Sequence, residues 1–244
     1  MSRVYTDTIE PRKETQDITL GTSGETISVG ANSINVNTVA DKGGNTLWTS
    51  DGSGNLSSVN AGLKGNLVLL DTNTFTGASS SSFTTLIDST YDLYKFEFNA
   101  INPAADTHFR FNVSIDGGSN YNVAKTTSFF NAYVTEAGTG GTLSYFADAD
   151  LAQGTGYQVL AWNVGAEADE CCVGELWLFA PSTTTLYKQF TGVCQEYLIG
   201  DYSQQNFMAG YIETTSAINA IDFKMDSGNT VSYTHLTLPT TPYV

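Results

Sequence analysis

Positive charge is scarce in this sequence. Ten Lys and Arg stand against 25 Asp and Glu in 244 residues, a formal net charge of −15. Such a surface repels phosphate backbones, which argues against a nucleic-acid partner, and it disfavours charge-driven adhesion to anionic membranes. Charged residues of both signs make up only 14% of the chain. Surface helices draw on Glu, Lys, Arg and Ala, so few helices are expected. Cysteine occurs three times, at Cys171, Cys172 and Cys194. An odd count with two neighbours is no disulfide framework, and small unpaired residues in a reducing compartment are expected. No apolar run approaches the ~20 residues of a membrane span. Met1 to Pro11 lacks the apolar core of a signal peptide, so synthesis in the cytosol without membrane insertion is the expectation.

The polar surface must come from Ser, Thr, Asn and Gly, a mixture that suits strands and turns. Aromatic residues, 12% of the chain, suffice for a core. Residues 1–17 are polar with a mixed-charge cluster, and read as an arm. Residues 18–64 carry thin apolar pairs (Ile18/Leu20, Ile27/Val29, Ile34/Val36) between Gly-rich turns. The turns Asp41 to Asn45 and Asp51 to Asn55 bracket Leu47 and Trp48. Short hairpins are marginal alone, so this extension is expected to attach or oligomerise.

From residue 65 the alternation lengthens. Tyr94, Phe96 and Phe98 alternate with Lys95, Glu97 and Asn99; Phe109, Phe111, Val113 and Ile115 alternate with His108, Arg110, Asn112 and Ser114. Ile221, Phe223 and Met225 alternate with Asp222 and Lys224. Period two with one polar face means half-buried antiparallel strands. Others are expected at 66–71, 82–87, 129–134, 157–164, 172–179, 186–193 and 207–213. The fold class is all-β: an antiparallel β-sandwich, jelly-roll-like, over 65–229.

Chemistry is harder to find. No nucleophile elbow, phosphate loop, dinucleotide fingerprint or zinc motif is present. Gly138 to Gly141 and Gly52 to Gly54 precede no helix and read as turns. A Ser-His-Asp triad would need His108, which the alternation puts on a solvent face. Glu167, Asp169 and Glu170 cluster in one loop with Glu175 on the next strand, and Asp148 and Asp150 flank another. A glycosidase pair or a calcium site would use such groups, but acidic loops of an acidic protein are ordinarily solvated surface. Trp162, Tyr197, Tyr202 and Tyr211 are candidates for stacking on sugar rings. The residues assign no catalytic or metal site and imply no cofactor.

Residues 46–229 resemble predicted structural proteins of marine tailed bacteriophages. The likeness rests on Leu47 to Asn60 (LWTSDGSGNLSSVN), Ile87 to Asp92 (IDSTYD), Ile101 to Ala104 (INPA), Gly117 to Tyr121 (GGSNY) and Ile221 to Gly228 (IDFKMDSG). Ile18 to Ile27 (ITLGTSGETI) adds to it. The resemblance implies a non-enzymatic, tail-fibre-like virion part assembled in the bacterial cytoplasm, and the analogy with fibres implies a homotrimer. Its partners would be other virion or tail proteins, and a host surface glycan or protein bound by sandwich loops. A purely structural decoration protein and a carbohydrate depolymerase are the alternatives. It brings no site residues with it.

The end of the chain resembles something else. Residues 231–240 read VSYTHLTLPT, similar to one reading frame of a transposase adapter used for tagmentation sequencing libraries. The likeness implies a metagenomic fragment whose natural sequence stops near Asn229. On that reading His235 is not native, and residues 230–244 were never selected to pack.

Overall fold

The computed structural model describes residues 37–53, 56–57, 59–60, 67–230 and 234–240. The arm and the apolar pairs of 18–36 lie outside them. The chain divides into two units with the boundary after Asn60.

In the first unit β1 (Thr38–Ala40) pairs with β2 (Thr46–Ser50), which pairs with β3 (Leu56–Ser57), all antiparallel. The β1–β2 turn is built by Asp41, whose Oδ1 accepts the backbone N–H of Gly43 (2.8 Å) and of Asn45 (2.9 Å). Among the described residues of this unit none is fully buried.

The second unit is a β-sandwich. Its strands are β4 (Val68–Phe75), β5 (Ser80–Phe83), β6 (Leu93–Ile101), β7 (Thr107–Ser114), β8 (Lys125–Thr135) and β9 (Thr142–Tyr145). They continue as β10 (Gln158–Val164), β11 (Cys172–Phe179), β12 (Lys188–Leu198), β13 (Tyr202–Ile212), β14 (Ala220–Met225) and β15 (Thr234–Thr240). One layer runs β4-β15-β6-β11-β12-β13-β8-β9; the other runs β10-β7-β14-β5. They join where β12 meets β10 at Leu198 and Val164. All these pairings are antiparallel, and β6, β8, β12 and β13 turn roughly every second side chain inward.

The core lies between the layers. Phe223 of β14 meets Phe96 and Phe98 of β6, with ring centroids 5.3 and 5.2 Å apart. Phe111 of β7 meets Phe190 of β12 edge-on at 5.1 Å. The expected core residues Phe96, Phe98, Phe109, Phe111, Ile221 and Phe223 are all buried.

Four expectations change. The tail does pack: β15 fills the sheet between β4 and β6, and Leu238 is completely buried. Open backbone N–H and C=O groups on the flanking strands bond an extended partner through its main chain, and Thr234–Thr240 supplies one. His108 is not on a solvent face; it is half-buried, stacked on Trp162 of the neighbouring strand with centroids 4.1 Å apart. Ile115 leaves the core face because β7 stops at Ser114, and it is 42% exposed. Asn112, Ser114 and Asp222, expected to face water, are buried. Loop segments cover that side: Asn112 Nδ2 donates to the backbone carbonyls of Tyr121 (2.6 Å) and Thr155 (3.1 Å).

Candidate binding face

The outer face of the larger layer carries side chains in registered rows. Cross-strand partners on one face stand about 5 Å apart, so a row of like residues makes a continuous strip. One row runs Glu97, Glu175, Val193, Phe207, Phe130, Tyr145 across β6, β11, β12, β13, β8 and β9. The next runs Val173, Gln195, Gln205, Ala132, Leu143. An aromatic strip therefore lies beside a pair of side-chain amides. The rings of Phe130 and Phe207 stack at 4.9 Å and 12°, and Phe130 is 42% and Tyr145 60% exposed.

Three adjoining hollows share Gln195. The most enclosed, about 330 Å³, is lined by Tyr197, Tyr202, Ser203, Val173, Asp169 and Glu136 among others. The Tyr197 hydroxyl donates to Glu136 Oε1 (3.0 Å) and Asp201 Oδ1 (3.1 Å), and these two carboxylates push its pKa up. A shallower hollow of about 560 Å³ extends over Glu97, Asn99, Glu175 and Gln205. Lys95 neutralises part of this acidic end, reaching Glu97 at 2.6 Å and Glu175 at 2.8 Å.

Behind the rows lies a buried polar layer. Glu196, Gln204, Asn206 and Asn131 turn inward where strands usually carry apolar residues. Gln204 Nε2 donates to Glu196 Oε1 and to Asn206 Oδ1, and Asn131 Nδ2 donates to Gln204 Oε1 (3.2 Å). Burial pushes the Glu196 carboxyl up to about 8, against the pull of its amide partners, and among the described residues its Oε2 finds no partner. Hydrogen bonds of this kind fix the register of β12, β13 and β8 and so hold the outer rows in place.

The sequence-derived candidates are scattered. Tyr197 and Tyr202 reach the hollow. Tyr211 lies on the same outer face, four residues beyond Phe207, roughly 13 Å along β13, stacked on Tyr187 at 6.1 Å. Trp162 is occupied: His108 covers its face and Phe146 meets it edge-on at 4.7 Å. His108 Nδ1 accepts the N–H of Asn163 (2.8 Å), and burial lowers its pKa. The acidic loop does not converge. Glu170 folds back to accept the N–H of Glu167 (2.7 Å), Asp169 lines the hollow, and Glu175 is held by Lys95 and by Trp177 Nε1 (2.9 Å). Asp150 accepts the Tyr145 hydroxyl, while Asp148 lies in a short 3-10 turn, Ala147–Ala149. Among the described residues no three His, Cys, Asp or Glu side chains gather to hold a metal. Gln195, Gln205, Phe130 and Phe207 were missed. The adjacent Phe129 and Phe130 were the available signal, because one of two neighbours on a strand must face outward.

Comparison with protein-family models, with curated proteins and with solved structures finds no match to this chain.

Proposed function

We propose that this protein is a non-enzymatic part of a phage tail-fibre-like appendage that binds an uncharged host glycan on the outer face of its larger sheet. The observation that carries this is the aromatic row Phe207–Phe130–Tyr145 beside the amide pair Gln195 and Gln205. Flat exposed rings stack on the C–H face of a sugar, and amides in the next row bond its hydroxyls. Glu97, Glu175, Glu136 and Asp169 along the hollows repel anionic polysaccharides and favour uncharged ones. This reading moves the contact from loop tips to a sheet face. Its setting, a virion part assembled in the bacterial cytoplasm, comes from the sequence resemblance.

The first unit would attach the domain and join copies of it as a trimer. Its described residues include no fully buried side chain, so ordering its backbone gains little within one chain. A glycan array probed with the intact protein tests the binding reading: retention of uncharged glycans is expected, and retention of none overturns it. Release of reducing ends from a retained polysaccharide would instead make the protein a depolymerase. Light scattering reads the trimer directly, and a monomer contradicts it.

A further inference from the structure

The connection from β7 to β8 buries an amine against an amide. Lys125 opens β8 with its side chain completely buried. Its Nζ lies 2.5 Å from Asn112 Oδ1 and 2.8 Å from the Val123 carbonyl oxygen. Its backbone is pinned in both directions to Gly154, at 2.9 and 3.0 Å. Both partners of Nζ are neutral, and among the described residues no ion pair compensates the buried cation. An unpaired buried ammonium is costly. Burial accordingly pulls the Lys125 pKa down to about 7, so the free amine with its lone pair is abundant near neutrality.

The amide is held as firmly. Asn112 Nδ2 donates to the carbonyls of Tyr121 (2.6 Å), Thr155 (3.1 Å) and Gly156 (3.3 Å), which directs Oδ1 toward the amine. A C=O bond is about 1.2 Å long, so Cγ lies within about 3.7 Å of Nζ. That is close to the separation from which an oriented pair reacts. A carboxyl lies on the adjoining strand. Asp222 of β14 is the direct cross-strand partner of Asn112, so the two side chains share a face. Asp222 is buried and accepts the hydroxyls of Ser82 (2.5 Å) and Tyr157 (2.9 Å). Burial raises its pKa and favours the proton-carrying form.

We propose that Lys125 and Asn112 are joined by an isopeptide bond that the folded protein forms by itself, with Asp222 moving the proton. The Nζ lone pair attacks Asn112 Cγ; the Nζ–Cγ bond forms and the carbonyl π electrons move to Oδ1. A proton leaves Nζ and, through the Asp222 carboxyl, reaches Nδ2. The carbonyl re-forms, the Cγ–Nδ2 bond breaks, and ammonia leaves. An amine and a primary amide become a secondary amide and ammonia, with no change of oxidation state and no co-reactant. The bond ties β7, in one layer, to β8, in the other. An appendage that must hold under load gains a cross-link that needs neither cysteine nor an oxidising compartment.

Mass spectrometry of the intact protein after incubation at pH 8 tests this. The expected mass is about 17 Da, one ammonia, below that of the sequence. After denaturation trypsin should fail to cut behind the acylated Lys125. It should leave one fragment from Phe111 to Lys188, since no other Lys or Arg lies between them. Lys125→Arg should carry the full mass, and Asp222→Ala should form the bond at least tenfold more slowly. The map of the unaltered chain needs no variant, so a misfolded variant does not blunt the test. Full mass in the folded, incubated protein overturns the proposal. So does a deficit that survives Lys125→Arg, which would mark cyclisation of an asparagine on its own backbone.

Discussion

Gln195 on β12 stands directly across from Gln205 on β13, and one rung along the same face Val193 stands across from Phe207. Both rungs point away from the core, so their side chains are free of the packing that stabilises the sandwich. Gln205→Ala and Phe130→Ala should each change unfolding free energy by no more than about 0.5–1 kcal/mol. Urea titration checks this. A larger loss would mean that the face supports the fold instead of presenting a surface.

The core should respond in the opposite way. Phe111 packs against Phe190 at 5.1 Å and Phe223 at 6.4 Å and has no exposed surface. Phe111→Ala should cost about 3–5 kcal/mol, read as a lower urea midpoint at unchanged slope. A cost under about 1 kcal/mol would place the ring outside the core.

The strand β15 should contribute to stability, against the expectation from the sequence. It bonds on both sides, Leu236 to Asn73 and to Phe98 by register, and Leu238 is sealed between the layers. Leu238→Ala should cost about 2–5 kcal/mol. Deleting residues 230–244 should lower Tm further, because it also leaves β4 and β6 with open edges. An unchanged Tm on deletion would show that the pairing contributes nothing.

Glu196 should write a pH signature on stability. Its folded pKa of about 8 lies above the ordinary glutamate value of 4.5, so between those values the folded state holds a proton that the unfolded state has released. Stability from this group is full below the lower value and is lost as pH rises through the upper one, with a slope near 1.4 kcal/mol per pH unit. Glu196→Gln should remove that slope, gaining stability relative to the native chain at pH 8 and least at pH 4. Denaturation curves of both proteins across this range check it. Parallel pH profiles would refute the shifted carboxyl.

Much of the sandwich was legible because alternation survives wherever one face is core. Tyr94 to Phe98, Phe109 to Val113 and Ile221 to Met225 all run inward as their spacing implies. The expected strand over 172–179 coincides with β11. Alternation fails where both faces are covered. Asn112 and Asp222 read as solvent-facing because one chain segment cannot announce that another will lie over it. The binding face was hidden for the converse reason: Phe130 and Phe207 look like core residues until the register turns them outward. Cross-strand register, which makes Gln195 and Gln205 neighbours, is a long-range property that local pattern does not carry. The reach of Lys125 to Asn112 was invisible for the same reason.

The measurement that bears most directly on the account is a glycan-array comparison of the native protein with a Phe130→Ala/Gln205→Ala double variant of equal stability. The native protein should retain uncharged glycans, and the double variant should lose at least about tenfold in apparent affinity, on the order of 1.4 kcal/mol or more. Equal retention by the two proteins, or retention only of anionic glycans, would contradict it.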